Sequence, residues 1–195
     1  GGAITTGVQN TIVGGLAGDA ITTGANNVAL GYQSLTAATT SSFNVSMGSF
    51  SMTNNILAAR NVGIGYNSLN QLNTGSATDT YNTAVGFTAG SAITTGVENN
   101  LFGGLAGDAL TTGSYNVAFG KEALSNEDTG SRNVAIGSRA LNSLNFDGNG
   151  YNIAVGYDAG LNVSTGVQNT IMGGLAGDAL TTGVSNTAVG MNALG

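Results

Sequence analysis

The chain contains no proline, cysteine, histidine or tryptophan. Without histidine or cysteine, the usual nucleophile–base pairs and the imidazole or thiolate metal sites are absent, and no enzymatic activity and no cofactor are expected. No disulfide can form, yet a lack of cysteine does not demand a reducing compartment. Charge is almost as scarce, with 4 Lys+Arg against 10 Asp+Glu in 195 residues and a formal net charge of −6. Four scattered cations (Arg60, Lys121, Arg132 and Arg139) cannot neutralise a run of phosphates, so neither nucleic acid nor an anionic membrane surface is an expected partner. Apolar runs fall far short of the roughly 20 residues that span a bilayer, so no membrane span is expected. There is no initiator methionine or signal peptide, and both ends lie inside a repeat, so the sequence reads as a section of a longer protein.

What is abundant is glycine, 33 residues, together with asparagine, threonine and alanine. The glycine content is about twice ordinary usage. Aligned on asparagine, the chain resolves into eleven copies of one unit, beginning at Asn10, Asn27, Asn44, Asn61, Asn82, Asn99, Asn116, Asn133, Asn152, Asn169 and Asn186. Eight of the ten steps are 17 residues, while the steps from Asn61 to Asn82 and from Asn133 to Asn152 are 21 and 19.

The columns are strict. Four residues after each asparagine stands glycine: Gly14, Gly31, Gly48, Gly65, Gly86, Gly103, Gly120, Gly137, Gly156, Gly173 and Gly190. Seven residues after it stands alanine or serine, and three after it a large apolar residue, from Val13 and Leu30 to Met172 and Val189. The first position after the asparagine is mostly Val, Thr or Ile, and the second mostly Ala. Read with the period of two that a strand imposes, this pattern puts large residues on one face and small ones on the other. A unit of 17 residues cannot bury its own apolar face, but a stack of such units can. The fold class that follows is all-β, a β-solenoid or β-roll of about eleven coils forming a single repetitive segment over residues 1–195.

Three further readings follow from the columns. The asparagines form a ladder, each amide donating to the oxygen of the next, and they also suit a left-handed turn. Glycine recurs fourteen residues after the asparagine in six coils (Gly24, Gly96, Gly113, Gly130, Gly166 and Gly183), where a second turn with positive φ would return the chain. The small-residue face requires another backbone close by, either the far wall of a narrow roll or a second chain, and small residues there would also permit three protomers to pack closely. Stretches 8–35, 97–124 and 167–194 are near copies that share GGLAGDA, as block duplication of an extendable shaft would produce. At a strand spacing of about 4.8 Å, eleven coils make a rod about 5 nm long.

The units NVALGYQSL (27–35), NVGIGYNSL (61–69), NTAVGFTAG (82–90), NVAIGSRAL (133–141) and NIAVGYDAG (152–160) resemble the N-x-A-x-G-x-x-A repeats of trimeric autotransporter adhesin heads. They resemble still more the related repeats of bacteriophage tail fibres. The resemblance covers essentially the whole chain. It implies a left-handed β-roll, three rolls associated in parallel as a homotrimer, and attachment to a cell-surface glycan or protein receptor from an extracellular location. Units of 17 residues are longer than those usual in the autotransporter heads, which points towards a virion tail fibre. No neck motif, coiled-coil stalk or membrane anchor is visible, so phage and bacterial surface both stay open.

Candidate chemistry is sparse. Asp19, Asp108 and Asp178 share one position, but they lie four or five coils apart, roughly 20 Å, too far for paired acid–base work. A trimer could gather three of them around a cation, and a turn aspartate is the simpler account. GGLAG lacks the Lys-Ser/Thr of a phosphate loop. The pairs Thr22-Thr23, Thr39-Thr40, Thr94-Thr95, Thr111-Thr112 and Thr181-Thr182 suggest an ice-binding face, although the array is interrupted. The aromatics Tyr32, Tyr66, Phe87 and Tyr157 each follow the invariant glycine and offer non-contiguous surface contacts for sugar rings. The insertions 70–81 and 142–151 are the other places for a recognition loop. Sequons stand at Asn44 and Asn162. The expected function is a structural and adhesive fibre segment. An ice-binding solenoid, or the non-catalytic part of a polysaccharide-binding tailspike, is the alternative.

Overall fold

The computed structural model describes residues 2–195, and every regular element among them is a strand. In chain order these are β1 (Thr11–Val13), β2 (Val28–Leu30), β3 (Val45–Met47), β4 (Ala58–Ala59), β5 (Val62–Ile64), β6 (Thr78–Asp79) and β7 (Thr83–Val85). They continue as β8 (Asn100–Phe102), β9 (Val117–Phe119), β10 (Val134–Ile136), β11 (Ile153–Val155), β12 (Thr170–Met172) and β13 (Thr187–Val189). All but β4 and β6 join one parallel sheet of eleven strands in the order in which they occur. Equivalent residues pair from coil to coil, Thr11 with Val28 and Val28 with Val45. One strand per coil, stacked in register, makes the chain a β-solenoid. Where the first insertion adds residues, β4 and β6 pair beside the main sheet.

The alternation along each strand sorts the faces by size, with the small face inside. Ala29, Ala84, Ala118, Ala135 and Ala154 are fully buried, whereas Val13, Leu30, Phe119, Ile136 and Met172 are exposed. The small column is therefore filled from within its own coil and cannot be where a second chain packs. Opposite it lie side chains eight and eleven residues past the asparagine, such as Leu35, Leu69, Leu72, Leu141 and Leu144, all fully buried.

Volume is traded between these columns. Coils with a large second residue (Ile12, Leu101, Ile171) have glycine at the eighth position (Gly18, Gly107, Gly177). A Cβ on Gly107 would stand 2.9 Å from Leu101 Cδ2, and one on Gly18 would stand 3.0 Å from Ile12 Cδ1. Coils with Ala or Gly at the second position mostly carry Leu at the eighth. Close packing thus holds along the stack although no single column is uniform.

Two glycine columns work for different reasons. The invariant column four past the asparagine has φ between +120° and +148°, from Gly190 to Gly86, where only glycine is at ease. The coils also touch there, since a Cβ on Gly14 would lie 2.6 Å from the Gly31 carbonyl oxygen. The column fourteen past the asparagine does not have the expected positive φ. A Cβ on Gly24, Gly96 or Gly166 would instead collide with the carbonyl oxygen of Ser41, Gly113 or Gly183 in the next coil. The left-handed positions are taken by other residues, among them the one before each ladder asparagine, with φ from +50° (Tyr81, Tyr151) to +63° (Arg60). The asparagines themselves are not left-handed.

Most ladder asparagines tie three segments together. The Asn27 backbone N–H and Nδ2 donate to Asn10 Oδ1 at 3.0 and 3.1 Å, and Nδ2 also donates to the Ser41 carbonyl at 2.9 Å. The pattern recurs in Asn99, Asn116 and Asn169. At the first insertion, Thr80 Oγ1 joins in, donating to Asn61 Oδ1 at 2.7 Å. Asn27 to Asn169 are buried along this column, so a glycan at the Asn44 sequon is sterically excluded.

Candidate binding surfaces

The outward face of the main sheet carries the first and third residues of every strand. It reads Val28 and Leu30, Val45 and Met47, Val62 and Ile64, then Thr83 and Val85, and continues to Ile153 and Val155. The third-position column is apolar along the whole stack, and the first is interrupted by Thr11, Thr83, Asn100, Thr170 and Thr187. Together they make a largely apolar ribbon about 5 nm long and about 1 nm wide. That is roughly 500 Å², at the upper end of what a monomer leaves uncovered.

Three of the four aromatics expected on the surface belong to a continuous ladder. The rings of Tyr32 and Phe50 meet edge to face with centroids 5.5 Å apart, and Phe50 meets Tyr66 at 5.8 Å. Tyr66 stacks on Phe87 at 5.4 Å with 12° between the planes. Phe50 stands one position further along its coil than the other three, which hid it from column reading. Tyr157 is separate: Arg139 donates to its hydroxyl at 2.8 Å and forms an ion pair with Asp158. The rings of Tyr32, Tyr66, Phe87 and Tyr157 nevertheless stay about half exposed.

The position before each asparagine forms a second ridge that the sequence pattern did not reveal. Seven successive coils carry Phe43, Arg60, Tyr81, Glu98, Tyr115, Arg132 and Tyr151 there. The Arg60 guanidinium lies 4.7 Å from the Phe43 ring centre and 5.9 Å from that of Tyr81. Arg132 lies 5.0 Å from Tyr115 and 5.9 Å from Tyr151. Two of the four cations are thus aligned on one ridge rather than scattered. Each reaches into an insertion, Arg60 Nε to Asp79 Oδ2 at 2.8 Å and Arg132 to Asn149 Oδ1. The hydrogen bond to Asp79 raises the Arg60 pKa further, so this guanidinium stays charged.

At the first insertion the wall of the solenoid opens into a cleft of about 550 Å³, lined among others by Ser41, Phe43, Arg60, Thr78 and Asp79. Next to it, Tyr81, Glu98 and Asn100 bound a hollow of about 410 Å³. The Oγ of Ser41, a residue only 2% exposed, has no hydrogen-bond partner in the protein.

The first threonine of three of the five pairs is tied into the stack, while the second threonine of every pair is exposed. Thr22, Thr94 and Thr111 Oγ1 donate to the carbonyls of Thr39, Thr111 and Asp128 in the following coil, at 3.1 to 3.2 Å. The carboxyl of Asp108, one of the three equivalent aspartates, is pushed up chiefly by burial and further by the charge of Glu122. Glu127 stands where neighbouring coils place Leu110 and Leu144. It accepts the N–H groups of Gly130 at 2.7 Å and Phe146 at 3.2 Å, and burial nevertheless pushes its carboxyl above the ordinary range. Among the described residues no group of three His, Cys, Asp or Glu is placed to hold a metal, and no helix is long and apolar enough to cross a membrane. Comparison with family models, with curated proteins and with solved structures returned no match in any of the three.

Proposed function

We propose that this chain is a structural and adhesive fibre segment, part of a phage tail fibre or a bacterial surface adhesin, working outside the cell as a parallel homotrimer without catalytic activity. The observation that carries this reading is the apolar ribbon on the outward face of the eleven-stranded sheet. Its side chains repeat at the coil spacing of about 4.8 Å. A partner that meshes with it row for row must have the same spacing over the same length, and a second copy of this chain has both. Three copies placing this face on a common axis would hide all three ribbons. The mechanism is mechanical: strand ladders and the buried asparagine column stiffen a rod that holds a binding surface away from its base. The experiment is the native mass of the recombinant segment by light scattering. Three chains per particle is the expected result, and a stable monomer would overturn the trimeric fibre.

A further inference from the structure

We propose that the cleft at the first insertion is a binding site for an uncharged sugar unit of a glycan chain, a ligand class that rests on the adhesive reading above. Its volume of about 550 Å³ lies in the range of small-molecule sites. Two features give it chemistry. First, Arg60 uses Nε on Asp79 Oδ2, and Tyr81 Oη donates to the same oxygen at 3.4 Å. Both terminal NH2 groups of Arg60 and Asp79 Oδ1 remain for a ligand. A fork of donors beside a free acceptor is the complement of two neighbouring hydroxyls on a pyranose ring, each of which both donates and accepts. Second, the Phe43 ring lies on the same wall, 49% exposed, and supplies an apolar surface for the C–H groups of the sugar.

The charge balance selects among glycans. Arg60 and Asp79 are already paired, and the chain carries a net charge of −6. At this cleft, where Arg60 is already paired, a polyanionic glycan would meet repulsion without an unpaired cation to offset it, whereas an uncharged one loses nothing. The arrangement is also repeated. Tyr115, Arg132 and Tyr151 reproduce the aromatic–arginine–aromatic order at the second insertion, with Asn149 in the place of Asp79. The two arginines stand four coils apart on the same ridge, about 19 Å along the axis. A glycan chain lying along the rod would pass both.

The test titrates the recombinant 195-residue chain with maltohexaose, cellohexaose, chitohexaose and mannohexaose, and with oligogalacturonate as the acidic counterpart, followed by calorimetry and ligand-observed NMR. Saturable binding of at least one neutral hexasaccharide is expected, weakened about tenfold by Asp79→Ala or Phe43→Ala, since each removes a group that meets the ligand in the site. Circular dichroism confirms that each variant folds, and Arg60→Lys, which keeps the charge but loses the fork, serves as a second probe of the same geometry. Absence of binding to all four neutral sugars, binding unmoved by any of these variants, or a preference for oligogalacturonate would overturn the proposal. Native mass separates this outcome from the fibre reading. A trimer that binds no neutral sugar sinks the cleft alone, and a sugar-binding monomer sinks the trimer alone.

Discussion

Leu101 and Gly107 occupy one space between them: a Cβ on Gly107 would stand 2.9 Å from Leu101 Cδ2, inside the contact distance of two carbons. Two coils later the same positions hold Ala135 and Leu141, and both are fully buried. Leu101→Ala should therefore cost about 2–5 kcal/mol through the cavity it leaves, and Gly107→Leu alone should overpack the coil. The double variant L101A/G107L copies the arrangement of the later coil and should recover most of the loss, a strongly non-additive result. Recovery stays partial, because Leu101 Cδ1 also fills space 2.7 Å from where a Cβ on Gly90 would stand. Denaturant midpoints of the two single variants and the double one decide it; simple additivity would refute the trade of volume between columns.

The asparagine ladder makes a graded prediction. Asn116 sits mid-column, and its Oδ1 accepts both the backbone N–H and, at 3.4 Å, Nδ2 of Asn133. Its own Nδ2 serves Asn99 Oδ1 and the Gly130 carbonyl. Asn116→Ala strands several buried groups, each costing about 1–3 kcal/mol. Asn186 is only half-buried, in the last coil, so Asn186→Ala should cost well under half as much. Equal shifts in thermal midpoint at the two positions would show that the ladder contributes no more inside the stack than at its end.

Glu127 gives the fold an unusual response to acid. Burial raises its carboxyl above the ordinary value of 4.5, outweighing the two backbone N–H groups it accepts. The folded state then holds this proton more tightly than the unfolded chain. The resulting stabilisation is complete below the unfolded value and disappears as pH rises through the folded one. Lowering the pH from about 7 to about 5 should raise the melting temperature more in the wild type than in Glu127→Gln, which cannot titrate. Parallel pH profiles for the two proteins would contradict the assignment.

Much of the fold was legible because a stack repeats its demands. Every coil needs glycine where φ exceeds +120° and asparagine where a neighbour's N–H needs an oxygen, so those columns stand out from sequence alone. Which strand face points inward was not legible. Alternation of size shows two faces, and a wall packed against leucines from the far side of its own coil takes alanine inside and leaves Val, Ile and Phe outside. The ridge of Phe43, Arg60 and Tyr81 was invisible for the opposite reason. Its left-handed backbone accepts any residue whose side chain leaves the coil, so the column varies and reads as noise until the rings and guanidiniums are placed side by side.

The inversion of faces makes the proposed trimer testable without unfolding the protomer. Phe119 and Ile136 lie on the outward ribbon, 56% and 38% exposed in the single chain, and neither contributes to the buried core. A charge there costs the isolated coil little, because a lysine side chain on an open sheet face can lay its stem along the ribbon and keep its ammonium in water. Three copies facing one another would instead bury several like charges at a common axis, at several kcal/mol without partners. Phe119→Lys and Ile136→Lys should therefore leave the far-ultraviolet circular dichroism unchanged while reducing the native mass from three chains to one. Gly137→Val is the contrasting control: its φ of +132° and its contact with Gly156 are requirements of the coil itself, so that variant should fail to fold in any assembly state. Lysine variants that remain trimeric would show that the ribbon is not where the copies meet.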